Sequence, residues 1–517
     1  MPGRTSSPQL VPTDVTDEQK YWYFGTQRRW FLVARFVAFI GLIVSLSRFG
    51  FEDPHVSLMI MVVLGMGGVS LIGLYCSTRP RRLSQTDHEQ RVLLWSPEHY
   101  PSVDVFLPSA GEPLDVLENT FRHVAQLQYP GVIEVYVLDD SAREIVRVLA
   151  RRFGFRYLSR LDRGRMKKAG NLAFGYANSD GEVITVLDAD FAPRPEYLLE
   201  LMPYLDDAEI GIVQSPQFFD THSTDRWVQR SAGAVQELFY RWTQPSRDAI
   251  GAPICVGTCA LYRREGLERA GGFAQIAHSE DVHTGVALMR AGYAVRYIPV
   301  ILAKGLCPEG LPPFVSQQYR WCAGSMSLML NPAFRSMGLT WQQRLCFWSG
   351  FGYYLSTALS AFTAFIPPVY LLWQHPDAIH SRNYLLLLPL IFAYPLIFWT
   401  YRGRWDFSVL RIQLAQYFSH AVAIWDTWRG DTHEWVATGA VSRSPLGARI
   451  GWLMAGWLGI VQALLWAGIV RDLGTGAATI GSLYPMVIVA SFALYVQMPL
   501  MAEAMKQRPQ LRLRTVT

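Results

Sequence analysis

One stretch of the sequence decides the fold: Glu182-Val-Ile-Thr-Val-Leu-Asp188-Ala-Asp190-Phe-Ala-Pro193. Five β-branched or apolar residues are followed by two carboxylates, one residue apart, and then by a proline. A short apolar run that ends in polar and proline residues is typical of a buried parallel strand that opens into a loop. The stretch therefore predicts an α/β fold with a ligand site where this strand ends.

The two aspartates predict a cation site at this strand end. In an open α/β sheet, ligands bind beyond the carboxyl ends of the strands, where Asp188 and Asp190 can share one hard cation. We expect Mg²⁺ or Mn²⁺, which would also bind the oxygens of a diphosphate. A lone Asp-x-Asp pair is more often a solvated acidic turn, so the prediction depends on the other motifs of the chain.

The composition indicates a membrane protein with more than one structural unit. The chain of 517 residues exceeds one ordinary core, half of its residues are hydrophobic, 17 are Trp and only 17% are charged. The net charge of +5 is small and the basic residues lie beside apolar runs, which argues against a nucleic-acid partner. The six cysteines have no zinc spacing and are expected to be reduced packing residues.

Apolar runs predict about six membrane helices around one α/β domain. A helix needs about 20 apolar residues to cross a bilayer core. The runs that qualify are 30–47, 56–76, 345–373, 384–401, 450–470 and 477–501. Between the second and third of them, β-rich runs at 103–107, 133–138 and 183–187 alternate with helix-like stretches, as in a mostly parallel sheet. Pro367 and Pro368 predict a kink or an end in the third membrane helix.

These patterns divide the chain into consecutive segments and orient it in the membrane. Arg and Lys flank the apolar runs mainly on the face that carries the α/β domain, so the domain and both termini are expected in the cytosol. We predict a tail at 1–29, two membrane helices within 30–76, the α/β domain at 77–311, interfacial helices at 312–344, two membrane helices within 345–401, an interfacial helix (405–428) and a loop within 402–449, two membrane helices within 450–501 and a tail at 502–517.

Polar residues also follow the first two predicted strands. The first strand leads to Glu112, and the second ends at Asp139 and Asp140. Carboxylates at neighbouring strand ends suit the base and ribose of a nucleoside, although each segment alone is also an ordinary turn. Lys168 opens a predicted helix, where cations and backbone N–H groups suit a phosphate, although a solvated basic turn has the same composition.

Two later motifs contain groups suited to proton transfer and to sugar binding. Ser279-Glu-Asp281 opens a predicted helix, where acidic residues are favourable for the macrodipole alone, but Asp281 can accept a proton if it faces the metal site. Gln317-Gln-Tyr-Arg320-Trp321 precedes the membrane helices and combines an amide, a guanidinium for phosphate and an aromatic face for a sugar. An interfacial helix would also favour Arg and Trp.

Two apolar segments with interleaved amide or small residues lie between these motifs. They are 214–219 and 256–260, and they could line a sugar-sized groove. Core packing is the simpler explanation of Phe218 and Phe219.

In this order, the motifs resemble those of a known enzyme family. They are Asp139-Asp140, Lys168-Ala-Gly-Asn171, Asp188-Ala-Asp190, Ser279-Glu-Asp281 and Gln317-x-x-Arg320-Trp321. The set is similar to the D,D,D and Q-x-x-R-W markers of processive family 2 glycosyltransferases of the cellulose synthase superfamily. The likeness covers roughly 100–330 by motif, and most of the remainder by architecture.

This resemblance implies a GT-A-like glycosyltransferase domain and a role for each matched residue. Asp281 would be the catalytic base, and Asp188 and Asp190 would bind UDP through Mg²⁺ or Mn²⁺. Thr438 belongs to Trp435-Val-Ala-Thr438, which resembles the gating loop of the family. The implied substrate-binding residues are Glu112, Asp139, Asp140, Lys168, Asp188, Gln317, Arg320, Trp321 and Thr438.

The family also implies the reaction and its partners. We expect inverting, processive transfer of glucose from UDP-glucose to a growing β-glucan of β-1,4, β-1,3 or mixed linkage, which leaves through the membrane helices of the same chain. The expected partners are the donor, the glucan and the lipid bilayer of the plasma membrane, with any accessory secretion subunits unidentified. No cyclic-di-GMP-binding domain is expected after the last apolar run.

Departures from the family pattern keep other functions open. Phe191 stands where relatives often have His, Ser279 replaces the usual Thr, and Trp321-Cys-Ala-Gly-Ser325 differs from the sequence of cellulose makers. The alternatives are a synthase that uses UDP-GlcNAc, as in chitin or hyaluronan synthesis, a non-processive transferase that acts on a lipid carrier, and a transporter whose α/β domain only binds a nucleotide.

Overall fold

In the computed structural model, an α/β domain is followed by a series of long helices. The structure describes residues 11–24, 33–34, 36–41, 44, 54–222, 224–388, 406–431 and 445–506. The loop with Thr438 lies wholly outside these ranges. So do most residues of the fourth predicted membrane helix, at 384–401, and half of the residues of the first, at 30–47.

Two sheets form the α/β domain. The strands are β1 (Val103–Ser109), β2 (Ile133–Asp139), β3 (Arg156–Leu158), β4 (Val183–Val186), β5 (Phe191–Pro193), β6 (Ile210–Gln214), β7 (Phe218–Asp220), β8 (Ala260–Arg263), β9 (Ala294–Tyr297) and β10 (Ala303–Leu306). Seven of them form one sheet in the order β3-β2-β1-β4-β8-β6-β9, and the other three form a small sheet in the order β5-β10-β7. In the large sheet only β8 runs antiparallel to its neighbours, so the predicted mostly parallel sheet is confirmed.

The central position of β4 explains its sequence. All four of its residues are buried, and it lies between β1 and β8. A strand that is covered on both faces reads as a continuous apolar run. The predicted strands at 103–107, 133–138 and 183–187 are confirmed as β1, β2 and β4, and Asp188 and Asp190 follow β4 as expected.

Helices connect the strands and continue beyond the α/β domain. Helix α4 (Leu114–Val124) buries Leu117, Phe121 and Val124, which are four and three residues apart, as expected for a helix with one apolar face. The α-helices of the described residues are α1 (Asp17–Lys20), α2 (Pro54–Ser77), α3 (Gln85–Leu93), α4 (Leu114–Val124), α5 (Glu144–Arg152), α6 (Lys167–Ala177), α7 (Tyr197–Leu201), α8 (Trp227–Leu238), α9 (Gln244–Asp248), α10 (Arg264–Ala270), α11 (Glu280–Arg290), α12 (Leu311–Leu330), α13 (Pro332–Arg335), α14 (Trp341–Thr363), α15 (Ile366–Gln374), α16 (Ser408–Arg429), α17 (Pro445–Thr475) and α18 (Ile480–Met505).

Three helical stretches of the described residues are long and apolar enough to cross a bilayer. They are α14 with α15 (Trp341–Gln374, 34 residues), α17 (31 residues) and α18 (26 residues). The predicted second span at 56–76 lies within α2, which is 24 residues long. The chain is therefore a membrane protein. The total of about six spans stays a prediction, because half of the first span and most of the fourth fall outside the described ranges.

The third predicted membrane helix is interrupted at its two prolines. Helix α14 ends at Thr363 and α15 begins at Ile366, with Pro367 and Pro368 in its first turn. Proline fits a first helical turn because the N–H that it lacks would have no helical partner there. The predicted interruption is confirmed.

The predicted interfacial helix at 405–428 corresponds to α16, which packs against α12 and α14. Its Phe418 and Ala423 are fully buried, whereas Trp428 is 76% exposed. Near its end, Asp426 accepts hydrogen bonds from Arg449 of α17 at 2.9 and 3.0 Å. This ion pair joins the two described residue ranges that flank the predicted gating loop.

The described part of the N-terminal segment lies on the α/β domain. Thr13 donates two hydrogen bonds to Asp220 Oδ2, from its backbone N at 3.0 Å and its hydroxyl at 2.9 Å. Lys20 forms a buried ion pair with Glu200. Residues 11–24 are therefore held on the α/β domain by polar contacts with residues about 200 positions later in the chain.

Candidate active site

The site is organised around Asp188, directly beyond β4. Its backbone N–H donates to Thr258 Oγ1 at 2.9 Å, and its Oδ1 accepts a hydrogen bond from Lys168 Nζ at 2.5 Å. The same Lys168 ammonium donates to the Gly257 carbonyl at 2.9 Å. Lys168 therefore links the end of β4 to the loop that precedes β8.

Excess negative charge surrounds Asp190. Burial, followed by repulsion from Asp188 and Glu112, raises the pKa of Asp190 to about 8. Burial also raises the pKa of Glu112, whose Oε2 accepts a hydrogen bond from the Ala110 N–H at 2.7 Å. Asp190 thus interacts with two other carboxyl groups, and the Lys168 ammonium partly offsets their effect on its pKa.

This donor set fits a divalent cation. Mg²⁺ is commonly held by one or two carboxylates together with the phosphates of a substrate, and Asp188 and Asp190 supply such a pair. The described residues contain no group of three or more His, Cys, Asp or Glu side chains that forms a complete metal site. The donor phosphates and water would therefore have to complete the coordination.

The position of Lys168 depends on contacts made by its helix α6. Asn171 donates to the Leu138 carbonyl at 2.6 Å, which fixes the helix to the end of β2. Met166, which precedes the helix, and Lys167, its first residue, lie in the left-handed backbone region, with φ of 53° and 50°. A tight turn of this kind directs the first residues of α6 toward the strand ends.

The adjacent residues Asp139 and Asp140 make different contacts. Asp139 is fully buried, and its two oxygens accept hydrogen bonds from Ser109 Oγ, from the N–H and hydroxyl of Ser141, from the Arg143 N–H and from Tyr157 Oη, at 2.5 to 3.4 Å. With this many donors already bound, Asp139 stabilises the turn that follows β2.

Asp140 forms a two-pronged ion pair with Arg160. Arg160 Nε and Nη2 donate to Oδ1 and Oδ2 at 2.7 and 2.9 Å, and the Gly164 N–H donates to Oδ2 at 3.0 Å. Arg160 also donates to the Lys167 carbonyl at 3.2 Å. Arg160 was not predicted from the sequence. The only indication was an arginine between Asp140 and Lys168, which could pair with a carboxylate at the strand end.

Asp281, the predicted base, lies against the loop that binds Lys168. Gly257 has φ of +75°, and a Cβ built there would lie 2.7 Å from Asp281 Cβ, so only glycine allows this approach. Burial, followed by repulsion from Glu280, raises the pKa of Asp281 to about 7. A carboxyl group that titrates near neutral pH is suited to general-base catalysis.

Amide side chains hold the Gly257 loop in place. Gln214 Nε2 donates to the Ile254 carbonyl at 2.7 Å, and its Oε1 accepts from the Val256 N–H at 3.0 Å. Gln217 Nε2 donates to the Val256 carbonyl at 2.6 Å. The amides of segment 214–219 therefore brace the site, and the buried Phe218 and Phe219 belong to the core, as the simpler explanation predicted.

The predicted acceptor motif lies on α12, beside α11. Gln317 Oε1 accepts a hydrogen bond from Gln236 Nε2 at 3.3 Å. Burial lowers the pKa of Arg320 to about 10, while the carboxylates of Glu280 and Asp188 act in the opposite direction. Trp321 is partly accessible on the same helix, which packs against α14, α16 and α17.

Most of the predicted site residues thus form one electrostatic cluster. Lys168 responds to Asp188, Glu280 and Asp281: burial lowers its pKa, but these carboxylates raise it above the ordinary value. Glu112 and Arg320 also respond to Asp188. Asp139 stands apart because its oxygens are occupied, and Thr438 lies outside the described residues.

Parts of the chain are similar to known proteins. Residues 183–402 match the model of glycosyl transferase family group 2. The cellulose synthase catalytic subunit (UDP-forming) of Pseudomonas fluorescens (strain SBW25) is 34% identical over 268 residues, which is 50% of this chain and 36% of that protein. The cellulose synthase 1 catalytic subunit (UDP-forming) of Komagataeibacter xylinus is 32% identical over 315 residues, 59% of this chain and 41% of that protein. The matches span less than half the length of these two relatives.

A solved structure supports the predicted fold. The mannosyltransferase PcManGT from Pyrobaculum calidifontis, in complex with GDP-Man and Mn²⁺, has a TM-score of 0.53 at 18% identity and covers 72% of this chain and 99% of that chain. At this identity the likeness shows the GT-A-like fold alone. Over part of its length, the chain is also similar to family 2 glycosyltransferases and to cellulose synthase catalytic subunits.

Proposed function

We propose that the protein is a processive, inverting glycosyltransferase that polymerises glucose from UDP-glucose into a β-glucan and exports it through its own membrane helices. The observation that carries the proposal is the contact of Asp281 with Gly257, whose carbonyl binds the same Lys168 that pairs with Asp188. A base and a diphosphate-binding cluster therefore share one site. The catalytic subunits that the chain resembles bear the name UDP-forming.

Each residue of the cluster has a role in the proposed donor site. Asp188 and Asp190 would hold Mg²⁺ or Mn²⁺, which supplies positive charge to the diphosphate when bound. Lys168 and Arg320 add fixed cations for the charge that develops on the leaving UDP. Glu112 and Asp140, near the ends of β1 and β2, would bind the uridine, with Asp139 supporting the turn.

The transfer step requires one base. An acceptor hydroxyl attacks C1 of the glucose while Asp281 takes its proton, a bond forms between the acceptor oxygen and C1, and the bond from C1 to the diphosphate breaks. The electron pair of that bond leaves with UDP, and attack from the opposite face converts an α-linked donor into a β-linked product. Burial raises the pKa of Asp281 to about 7, which makes its carboxylate a stronger base than an exposed aspartate.

The direct continuation of the site into membrane helices supports coupled export. Arg320 and Trp321 lie on α12, which packs against α14 and α17, two of the helices that can cross a bilayer. Trp321 would stack on the acceptor sugar where the glucan enters a passage between these helices. We place the protein in the plasma membrane, with its catalytic domain and both termini in the cytosol.

The test uses the purified full chain in detergent or nanodiscs with labelled UDP-glucose and Mg²⁺ or Mn²⁺. Polymer that β-1,4- or β-1,3-glucanase digests is the expected product, and the enzyme that digests it identifies the linkage. Asp281→Asn should abolish polymer while UDP binding persists. Asp180→Asn, which changes an exposed carboxylate beyond the other end of α6, is the matched control.

Three results would contradict the proposal. Polymer from UDP-GlcNAc but not from UDP-glucose would indicate a chitin or hyaluronan type of synthase. A labelled product that organic solvent extracts would indicate transfer to a lipid carrier. Unchanged polymer formation by Asp281→Asn would remove this residue from the role of base.

A further inference from the structure

Helix α11, which begins with Glu280 and Asp281, is held on one side by the loop that precedes β8. A Cβ built at Gly257 would lie 2.7 Å from Asp281 Cβ, and a Cβ built at Gly285 would lie 2.8 Å from Cys255 Cβ. Real Cβ atoms essentially never approach so closely, so both contacts need glycine. These two contacts set the distance between α11 and the loop that precedes β8.

On its other side, the start of α11 fits into a notch on α12. The notch is Gly324: a Cβ built there would lie 2.0 Å from Ser279 Oγ and 2.2 Å from Ser279 Cβ. The Ser279 hydroxyl also donates to the Arg320 carbonyl at 3.4 Å. Ser279 itself has φ of 55°, in the left-handed region that favours glycine. Ser279, two positions before the proposed base Asp281, therefore contacts the backbone of α12, the helix that carries Arg320.

A partly buried hydrogen bond lies next to this notch. His283 Nε2 and Ser327 Oγ are 3.0 Å apart, and the Ser327 hydroxyl donates to the Gly324 carbonyl at 2.8 Å. Because the hydroxyl proton is used toward Gly324, the imidazole must donate its Nε2–H to Ser327. His283 is 6% exposed, and burial lowers its pKa.

The contacting positions on α12 are 320, 324 and 327, which share one face of a helix because they are four and three residues apart. The proposal that follows rests on the function proposed above. We propose that Gly324, Ser327 and His283 are positioning residues that set the distance between the base Asp281 and the guanidinium of Arg320. None of the three was identified from the sequence as a functional residue.

The proposal predicts a loss of transfer without a loss of donor binding. Apart from Arg320, the groups proposed to hold UDP lie on α6 and beyond β1, β2 and β4. The notch positions α11, so its closure should displace Asp281 and leave these UDP-binding groups in place. A displacement of 1 Å can reduce a rate about 100-fold. We expect polymer formation by Gly324→Ala at saturating UDP-glucose to fall by roughly this factor, with UDP affinity within about threefold of the wild type.

A compensating change tests the geometry directly. Ser279→Gly removes the side chain that the new methyl group would strike, and the left-handed φ of Ser279 suits glycine. The pair Ser279→Gly with Gly324→Ala should recover most of the transfer rate. If the double variant is as slow as Gly324→Ala alone, the contact between position 324 and Ser279 is not the cause of the lost transfer rate, and the proposal is refuted.

The hydrogen bond can be tested without steric change. Ser327→Ala and His283→Leu are each expected to lower the maximal rate about tenfold, since a lost hydrogen bond costs about one factor of ten. His283→Gln can keep a hydrogen-bond donor near the position of Nε2, so its maximal rate should be closer to that of the wild type than the maximal rate of His283→Leu. Ser356→Ala is the matched control, because the Ser356 hydroxyl donates only to the Tyr353 carbonyl three residues earlier, at 3.1 Å.

The outcomes separate this inference from the proposed function. If the wild-type protein makes polymer and both Gly324→Ala and Ser327→Ala make it at the wild-type maximal rate, the positioning role is refuted and the function stands. An equal loss of UDP affinity and rate in these variants would also refute it, since it would indicate general destabilisation. If the wild-type protein makes no polymer from any UDP-sugar, the function fails first and the inference fails with it.

Discussion

The pH dependence of polymer formation tests the proposed role of Asp281. An aspartate with its ordinary pKa of 3.8 would be ionised throughout the range from pH 6 to pH 8, whereas burial and the neighbouring Glu280 raise the pKa of Asp281 to about 7. A base must be deprotonated before it accepts a proton. The rate should therefore rise with pH across neutrality.

The expected size of the change follows from this pKa. For a single group with a pKa of 7, the ionised fraction is about 9% at pH 6 and about 91% at pH 8. The rate at low UDP-glucose, which reports the free enzyme, should therefore increase about tenfold between these values. Glu280 contributes to the upward shift, so Glu280→Gln should move the midpoint to lower pH.

The assay is initial incorporation of labelled glucose into polymer at fixed ionic strength, from pH 5.5 to 9. Glu265→Gln is the matched control, because it changes an exposed carboxylate that pairs with Arg269, and its midpoint should equal that of the wild type. A flat profile between pH 6 and pH 8 would refute the general-base assignment. A midpoint that moves to higher pH in Glu280→Gln would refute the electrostatic explanation.

Three further changes test the metal site, the Asp140 contact and the membrane helices. Removal of divalent cations with EDTA should weaken UDP binding at least tenfold, and Asp190→Asn should bind UDP weakly with or without the cation; equal cation dependence in both proteins would contradict the assignment of Asp190. Arg160→Met leaves the buried Asp140 without its ion-pair partner and should lower the free energy of unfolding by about 3 to 5 kcal/mol, measured by denaturant or thermal unfolding, whereas an unchanged stability would contradict the burial of this pair. Gln462→Leu removes the 3.0 Å hydrogen bond to Gln497 between α17 and α18 and the 3.2 Å hydrogen bond from Trp466 Nε1, and should cost only about 0.6 kcal/mol for each bond in the same measurement; a loss several times larger would show that Gln462 does more than make these two bonds.

The order of elements and the membrane character followed from local patterns. The apolar run at 183–187 predicted a buried central strand, and β4 is buried and paired on both sides. Helix α17 contains the predicted span at 450–470 because length and apolarity are properties of the sequence alone. The antiparallel position of β8 was not predictable in this way, since strand direction depends on the connections of the whole sheet.

The candidate site was predictable as a set of residue types and only in part as a set of contacts. Asp188 with Lys168 could be expected at one strand edge, because carboxyl ends of parallel strands meet there. The different contacts of Asp139 and Asp140 were not apparent, because two adjacent carboxylates look alike until their donors are known. The bracing role of Gln214 was also hidden, since an amide in an apolar run fits a ligand groove and a buried loop equally well.

By itself, the sequence determined the chemical groups available to this protein and the strands and membrane helices that carry them. Hydrophobic periodicity and the polar residues at strand ends are local properties, so they can be read along the chain. Only the tertiary structure decided which groups meet. It placed Gly257 between Lys168 and Asp281, and Gly324 against Ser279, because close backbone approaches join residues that are tens of positions apart and leave no local pattern in the sequence.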